Sequence, residues 1–324
     1  MAKAIRFHKT GGPEVLQFED IDVGEPGAGQ VRIRQTAIGV NFLDTYHRSG
    51  LYPMPLPSGL GSEGAGIVDA VGPGVTGLKN GDRVAYTGNP VGSYADSRLY
   101  PADRLVLVPS GISDQQAASM MLKGMTVQYL IFRTFKLKAG DTILWHAAAG
   151  GVGLIACQWL KALGVIVIGT VGSDEKATLA KKAGCTHVIN YSTENFTQRV
   201  KEITGGKGVP AVYDSVGKTT WEGSLDCLQA RGMMVSFGNA SGAVAPVNIG
   251  ILAAKGSLYL TRPSLVHYIA TRADLEETAK SLFDIVASGK VKIEVGGTYK
   301  LADAAQAHRD LEGRKTTGSV ILVP

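Results

Sequence analysis

The chain has 324 residues, of which 44% are hydrophobic and 19% charged, as in a globular protein long enough for two domains. Lysine and arginine exceed aspartate and glutamate only slightly, 33 against 28, and are scattered, which argues against nucleic-acid binding. We find neither a signal-peptide core nor an apolar run of the roughly 20 residues that a membrane span requires. The three cysteines, Cys157, Cys185 and Cys227, lie far apart and form no CxxC motif, which argues against a disulfide framework and a cysteine zinc site. We therefore expect a cytoplasmic protein.

The first part of the chain, residues 1 to about 122, reads as mostly β. Short strands separated by turn signals are predicted at 31–38, 64–71, 82–86 and 105–108. Regularly spaced short strands of this kind predict a small barrel or folded sheet.

From a helix predicted at 115–132 onwards, the pattern changes to alternating strands and helices. The predicted strands are 142–146, 165–170, 187–190, 210–214, 232–237 and 257–261. The predicted helices are 151–163, 175–183, 195–204 and 220–229. Six strands with intervening helices predict an α/β fold with a doubly wound parallel sheet, the Rossmann dinucleotide-binding fold.

The tail is too small to form a domain of its own. Its predicted elements are a helix at 274–288, a strand at 291–295, a helix at 302–311 and a strand at 319–323. We expect it to return to the first domain. The predicted division is therefore 1–122 with 268–324 for the mostly β domain and 123–267 for the inserted dinucleotide-binding domain.

A glycine turn lies at the start of the predicted dinucleotide-binding domain. It follows the strand 142–146 and reads Ala148-Ala149-Gly150-Gly151-Val152-Gly153, which is Gly-x-Gly-x-x-Gly with Ala148 at the first glycine. Backbone without side chains lets a pyrophosphate come close, and the N-terminus of the next helix offers unpaired N–H groups. We predict that Ala149, Gly150, Gly151, Val152 and Gly153 bind a dinucleotide.

The end of the second strand bears on which dinucleotide is bound. NAD-binding folds usually carry Asp or Glu there, about 20 residues after the glycines, whereas this strand ends in Gly172-Ser173 with Lys176 one turn into the next helix. Ser173 and Lys176 suit a 2′-phosphate, which favours NADPH. Asp174 and Glu175 argue for NAD, although acidic residues also suit the positive end of a helix.

With this order of elements, the chain resembles the medium-chain dehydrogenases/reductases, and within them the zinc-independent NADPH:quinone oxidoreductases of the ζ-crystallin-like branch. The resemblance covers essentially the whole length and implies a GroES-like catalytic domain around the Rossmann domain. The motifs that carry it are Asn41-Phe-Leu-Asp44-Thr-Tyr46 with Tyr52-Pro53, Gly59-Leu-Gly61-Ser62-Glu63-Gly64-Ala-Gly66, Leu122-Lys123-Gly124-Met-Thr126, the glycine turn, Val212-Tyr213-Asp214-Ser215-Val216-Gly217, Phe237-Gly238-Asn239 and Leu260-Thr-Arg262-Pro263.

This resemblance implies roles for residues in both predicted domains. Gly172, Ser173, Lys176 and Tyr191 are expected around the adenosine and its 2′-phosphate, joined by Arg314. Further cofactor contacts, at the nicotinamide or at other parts of the molecule, are also implied. They are expected from Tyr46, Ser215, Phe237, Gly238, Asn239, Leu260 and Arg262. The acceptor is expected beside Asn41, Tyr46, Tyr52 and Thr126. Tyr191 and Tyr52 also suit ordinary packing, and Arg314 also suits a solvated tail charge.

Metal-free catalysis is the second implication of the resemblance. The zinc enzymes of the superfamily place Cys in the region of Asn41 and His at the position of Ser62. The cysteine count excludes their structural zinc independently. Asp44 is expected to fix its segment by hydrogen bonds, and His146 to be structural.

Quinone reduction by NADPH is the function that these residues favour. One alternative keeps the fold and reduces enones or other activated alkenes. Another is a non-catalytic NADPH-bound protein that binds RNA or serves as a structural protein, although the absence of a basic run argues against RNA. We also predict a homodimer, because 256–261 reads as the edge strand of the second sheet, and a bare apolar edge favours pairing.

Overall fold

A computed structural model describes all residues, 1–324. The strands are β1 (Ala2–Phe7), β2 (Gln17–Ile21), β3 (Gln30–Val40), β4 (Ser58–Gly59), β5 (Glu63–Val71), β6 (Arg83–Thr87), β7 (Ser97–Pro101), β8 (Val106–Leu107), β9 (Thr142–Trp145), β10 (Ile166–Val171), β11 (His187–Asn190), β12 (Val209–Asp214), β13 (Leu228–Ser236), β14 (Tyr259–Thr261), β15 (Val295–Lys300) and β16 (Ser319–Val323). The helices are α1 (Phe42–Ser49), α2 (Asp114–Tyr129), α3 (Gly151–Ala162), α4 (Asp174–Ala183), α5 (Phe196–Ile203), α6 (Trp221–Asp226), α7 (Gly250–Ala254), α8 (Leu265–Tyr268), α9 (Arg272–Ala287) and α10 (Ala304–Glu312). No helix among them has the length and apolar character needed to cross a bilayer.

The chain forms two compact units. The first contains Met1–Met125, Ile269–Ala287 and Ile293–Pro324, and the second contains Thr126–Tyr268 with Ser288–Lys292. From the sequence, residues 288–292 are predicted to belong to the first unit. These residues join the second because Gln158 and Lys292 exchange two hydrogen bonds, at 3.1 and 2.8 Å.

The first unit is built on a seven-stranded sheet in the order β15-β16-β3-β5-β6-β8, with β7 also paired to β3. A second sheet has the antiparallel order β2-β1-β4. The tail returns to this unit, as expected, because β16 pairs antiparallel with β3, with Val320 opposite Val40. Apolar side chains of β1, β3 and β16 meet α10 in one buried cluster that includes Phe7 and Ala307. Burial of this apolar area stabilises the unit.

The second unit is a six-stranded parallel sheet in the order β11-β10-β9-β12-β13-β14. The strand order reverses between β9 and β12. In doubly wound sheets, ligands bind beyond the carboxyl ends of the strands at such a switch point. The predicted glycine turn follows β9 and therefore lies at this point.

Strands β1, β2, β4 and β7 and helices α7 and α8 form where no element is predicted, and three further segments differ from the prediction. The helix predicted at 220–229 ends at Asp226, because β13 begins at Leu228. No strand forms over 291–295. Instead β15 begins at Val295 and continues through Gly296 and Gly297, whose low strand propensity concealed it.

The third difference concerns the segment after β3, where no helix is predicted. Residues Phe42–Ser49 form helix α1, with Asn41 at its N-cap and Gly50 in the left-handed conformation at its end. The Asp44 carboxylate accepts from the Asn41 N–H at 2.9 Å, one half of a capping box. A helix of this length is short for detection by periodicity, so its caps were the available signal.

Candidate active site

The glycine turn of the second unit forms as the sequence predicts, between β9 and α3. Gly150 is the N-cap of α3. A Cβ on Gly153 would lie 2.3 Å from the Ala147 carbonyl oxygen and 2.7 Å from the Ala148 carbonyl carbon. Only glycine at 153 therefore lets the first turn of α3 pack on the turn backbone. The result is a helix N-terminus without side chains at its start, which fits an anionic pyrophosphate.

The end of β10 carries the residues predicted to distinguish NADPH from NADH. Ser173 is the N-cap of α4, and its Oγ accepts from the Lys176 N–H at 3.3 Å. A Cβ on Gly172 would lie 2.6 Å from the Tyr191 hydroxyl, so the phenol packs over bare backbone. The Tyr191 side chain is 41% exposed, as a stacking surface must be.

Asp174, which argued for NAD in the sequence, has a structural partner. Its Oδ1 accepts from Asn190 Nδ2 at 2.9 Å, and the Asn190 Oδ1 accepts from the Ser192 N–H at 3.1 Å. This carboxylate therefore ties α4 to the end of β11. A ribose 2′-OH would have to share this carboxylate with Asn190, whereas Ser173 and Lys176 beside it suit a 2′-phosphate.

The ends of β12 and β13 bring further predicted residues together. A Cβ on Gly238 would lie 2.4 Å from the Ser215 carbonyl oxygen, so the two segments touch through their backbones. The Phe237 N–H donates to the Asp214 carbonyl at 2.8 Å, and its ring lies 5.7 Å from the ring of Trp145. Asn239 follows in the same loop.

Arg262 directly follows β14, the edge strand of this sheet. Its guanidinium donates to the Gly238 carbonyl at 3.1 Å. Leu260, within β14, is 43% exposed at the outer edge of the sheet. Burial raises the pKa of the Tyr129 hydroxyl, against the lowering effects of Arg262 and Thr126.

Tyr129 is a residue that the sequence analysis did not single out. Its ring stacks on that of Tyr268 at 4.2 Å, and the Arg133 guanidinium lies 5.3 Å from the Tyr268 ring centroid. It lies three residues after Thr126, so helical spacing from the Leu122–Thr126 motif was the signal that could have found it.

A buried polar network lies next to the glycine turn, between the ends of β9 and β12. Asp214 is fully buried and accepts from the N–H groups of Val216 and Gly217 and from the hydroxyls of Thr220 and Ser224, at 2.7–3.0 Å. His146 contacts Ser224 Oγ at 3.0 Å through Nε2 and Thr170 Oγ1 at 2.9 Å through Nδ1. Burial lowers the pKa of His146, so the ring is neutral and structural, as expected.

The first unit holds Asn41, Tyr46 and Tyr52 around α1. The rings of Tyr46 and Tyr52 meet edge to face at 5.3 Å, and the Tyr52 N–H donates to the Tyr46 carbonyl at 3.1 Å. Both tyrosines are half-buried. They therefore present a paired aromatic surface with polar tips.

Asp44 holds α1 in place. It is fully buried and accepts from the Asn41 N–H, from Ser62 Oγ at 3.0 Å and from the Tyr94 hydroxyl at 2.9 Å. Burial raises the pKa of Asp44 to about 6, against the lowering effect of these donors. Asp44 fixes the segment by hydrogen bonds, the role that we expected from the sequence.

The chain of contacts continues to the tail. The Tyr94 hydroxyl lies 3.0 Å from His308 Nε2, and His308 Nδ1 lies 2.9 Å from Arg48 Nη1. Burial lowers the pKa of His308 to about 3, so the ring is neutral. Because Arg48 can only donate, Nδ1 accepts and the Nε2–H donates to Tyr94. Arg48 also pairs with Glu312 at 2.7 Å, which joins α1 to α10.

The remaining predicted residue, Arg314, follows α10 in the first unit. Its backbone is left-handed, with φ of 59°, and its N–H donates to the Leu311 carbonyl at 3.1 Å. No group of three or more His, Cys, Asp or Glu side chains anywhere in residues 1–324 is placed to hold a metal ion.

Comparison with known proteins places these features in a family. Residues 151–287 match the family described as zinc-binding dehydrogenase, and residues 27–110 match the alcohol dehydrogenase GroES-like domain. A quinone oxidoreductase of Pseudomonas aeruginosa is 57% identical, with all of both chains covered. A 2-haloacrylate reductase of a Burkholderia species is 50% identical over all of this chain and 99% of the relative.

The solved structures agree. The crystal structure of the Escherichia coli quinone oxidoreductase complexed with NADPH superposes with a TM-score of 0.99 at 56% identity, covering 100% of both chains. The fold is thus shared over the full length of both chains. The chain belongs to the quinone oxidoreductase family of medium-chain dehydrogenases/reductases.

Proposed function

We propose that this chain is an NADPH:quinone oxidoreductase that works without a metal ion. The observation that carries the proposal is the 57% identity, over both full lengths, to a quinone oxidoreductase. The strand-end geometry of the second unit supports the choice of NADPH, because Gly172 and Ser173 stand where an NAD enzyme usually has an acidic residue.

Most of the residues that would hold the cofactor lie at or near the strand ends of the second unit. The N-terminus of α3 would bind the pyrophosphate through Ala149–Gly153. Ser173, Lys176 and Tyr191 would bind the 2′-phosphate and adenine, with Arg314 contributed by the tail. Phe237–Asn239 after β13 and Arg262 after β14 would hold the nicotinamide half, together with Tyr46. Ser215 after β12 and Leu260 within β14 would contact the cofactor there or elsewhere along its length. When bound, NADPH supplies the hydride, and the chain supplies orientation and charge stabilisation.

Acceptor binding is assigned to Asn41, Tyr46, Tyr52 and Thr126. The rings of Tyr46 and Tyr52 meet edge to face, and each combines a flat apolar body with a hydroxyl tip, which suits a quinone. The amide, phenol and alcohol groups of these residues can donate to the quinone oxygen that gains negative charge during reduction. A hydroquinone anion can then take its proton from water, so no strong acid is needed.

Mutation of the tyrosine pair tests this assignment. Tyr46→Ala or Tyr52→Ala should change kcat/KM for a bulky quinone relative to a small one by roughly fivefold, the equivalent of an aromatic contact of about 1 kcal/mol. The NADPH Kd should change less. If both variants lose thermal stability but keep the same quinone selectivity, the tyrosines only pack the segment and the assignment fails.

Reduction of an activated alkene is the second candidate function. The 50% identity to a 2-haloacrylate reductase favours it. NADPH consumption measured with quinones, enones, 2-haloacrylate and alcohols separates the candidates. We expect kcat/KM to be highest for quinones, and a preference for 2-haloacrylate would replace the proposal by its alternative.

Metal-free action is supported by the side chains at the family's zinc-ligand positions. Asn41 and Ser62 are poor zinc ligands compared with Cys and His. Glu63, beside Ser62, bonds Lys123 at 2.8 Å. The test is elemental analysis together with activity after chelation.

We also infer a homodimer and a cytoplasmic location. Strand β14 is the edge of its sheet, and Tyr259 and Leu260 are 59% and 43% exposed on it. Pairing of two such edges across a two-fold axis would satisfy their backbone groups. Light scattering should give twice the chain mass of 34.0 kDa, whereas 34.0 kDa itself would indicate a monomer. Three free cysteines support a reducing compartment.

A further inference from the structure

A buried ion pair lies in the first unit next to Asn41. Glu63 is fully buried at the start of β5, and Lys123 is 6% exposed in α2. The Lys123 Nζ lies 2.8 Å from Glu63 Oε1. Neither residue is among those assigned above to cofactor or acceptor.

The Glu63 carboxylate has further donors. Asn41 Nδ2 donates to Oε1 at 2.8 Å, and the Leu122 N–H donates to Oε2 at 2.7 Å. A Cβ on Gly39 would lie 2.3 Å from Oε1 and 2.3 Å from the Ala118 carbonyl oxygen. Glycine at 39 therefore leaves the space in which the carboxylate sits between the end of β3 and helix α2.

The Glu63 contact favours one orientation of the Asn41 amide, and the capping box of α1, in which the Asn41 side chain accepts from the Asp44 N–H, favours the same one. A carboxylate only accepts hydrogen bonds, so it must meet the Nδ2 side of the amide and not the Oδ1 side. A neutral partner that can also donate would permit either orientation. A buried carboxylate without a compensating cation would itself be costly, and Lys123 provides that cation.

We propose that Glu63 and Lys123 are positioning residues for acceptor reduction: they fix the Asn41 amide so that its second Nδ2 hydrogen is a preset donor to the acceptor oxygen. The inference rests on the proposed function, which assigns Asn41 to the acceptor. A donor held in place before reaction needs no reorganisation when negative charge develops, so its effect falls on kcat more than on KM.

The alternative is an ion pair that only stabilises the fold. The two differ in whether the pair acts through Asn41, which a double-mutant cycle measures. The variants are Asn41→Ala, the charge-free pair Glu63→Gln/Lys123→Met, and the triple combination. Glu63→Asp is added because it keeps both charges while withdrawing the carboxylate from Asn41. Lys123→Arg, which keeps the cation, serves as the conservative rescue.

Asp114→Asn is the matched control. Asp114 also carries an ion pair in the first unit, with Arg83, and it bonds Thr36. None of these residues hydrogen-bonds Asn41. Loss of the Asp114–Arg83 ion pair should lower the melting temperature and leave quinone kinetics unchanged.

The assay uses the full chain with saturating NADPH and duroquinone, whose methyl groups block addition of thiols. The charge-free pair and Glu63→Asp should each lower kcat about tenfold, with KM within about twofold. In the Asn41→Ala background the charge-free pair should cause no further loss. Lys123→Arg should keep most of kcat, and the NADPH Kd, measured by fluorescence titration, should stay within about twofold in every variant.

Additive losses in the cycle, or a kcat that is unchanged in Glu63→Asp and in the charge-free pair, would overturn the inference. The inference would also be overturned if Asp114→Asn lowered kcat as much as Glu63→Asp and the charge-free pair do, at an equal loss of melting temperature. An Asn41→Ala variant with normal quinone turnover would remove Asn41 from the proposed acceptor site, and the inference with it. A defective Asn41→Ala beside a normal charge-free pair sinks the inference alone.

Discussion

Replacement of Gly153 by alanine should both destabilise the protein and weaken NADPH binding. The new Cβ would lie 2.3 Å from the Ala147 carbonyl oxygen, and ordinary contacts begin at 3.4 Å, so the backbone would have to move by about 1 Å. The turn resists this because Ala147 is already left-handed, with φ of 54°, and the Ala148 N–H is bonded to Thr170 at 3.0 Å. Overpacking of this kind costs about 1–3 kcal/mol.

Helix propensity predicts the opposite sign, because alanine in a helix interior is favoured over glycine by about 1 kcal/mol. We expect the melting temperature of Gly153→Ala to fall by several degrees and its NADPH Kd to rise, measured by calorimetry and fluorescence titration. Gly172→Ala is the control: its Cβ meets only the hydroxyl end of the half-exposed Tyr191, which can move. Gly172→Ala should weaken NADPH binding but keep the native melting temperature, so it is a control for the stability effect alone. A Gly153→Ala protein as stable as the native one would refute the close-packing argument.

Three further predictions concern specificity, pH and metal. Lys176→Ala should weaken NADPH binding by about 1–3 kcal/mol and scarcely change NADH binding. Equal losses of binding free energy in titrations with the two cofactors would contradict the 2′-phosphate assignment. The pKa of Asp44 is raised in the folded state from 3.8 to about 6. Protonated Asp44 therefore stabilises the folded state fully below about pH 4, and this stabilisation is lost as the pH rises through 6. Asp44→Asn cannot ionise, so between pH 4.5 and 7.5 the native protein should lose about 2 kcal/mol of unfolding free energy relative to this variant; a constant difference would show that the pKa of Asp44 is ordinary. Chelation followed by dialysis should leave quinone turnover unchanged, and stoichiometric zinc whose removal abolishes turnover would refute metal-free catalysis.

Local sequence signals predicted most of the second unit. The strand, glycine turn and helix around Gly150 are contiguous in the chain, and the alternation of strands and helices repeats the same local rules. The predicted β9, β10, β11 and β12 agree with the observed strands to within a residue or so at each end. Such elements need no information about distant parts of the chain.

The supports of the first unit depend on distant residues. Tyr94 bonds Asp44 and His308 across separations of 50 and 214 residues, and Arg48 bonds His308 across 260. No periodicity or spacing relates residues so far apart, and a scattered histidine reads as ordinary until the fold closes around it. The Glu63–Lys123 pair, 60 residues apart, was hidden for the same reason, although both residues stood inside quoted motifs.

Coupled turnover under anaerobic conditions tests the central claim most directly. The purified protein is mixed with NADPH and duroquinone without oxygen, and the NADPH oxidised and the hydroquinone formed are both quantified. NADPH-dependent quinone reduction predicts one hydroquinone for each NADPH, at a kcat/KM well above that with NADH or with 2-haloacrylate as acceptor. NADPH that stays reduced in the presence of quinones, or that is consumed only with 2-haloacrylate, would contradict the account.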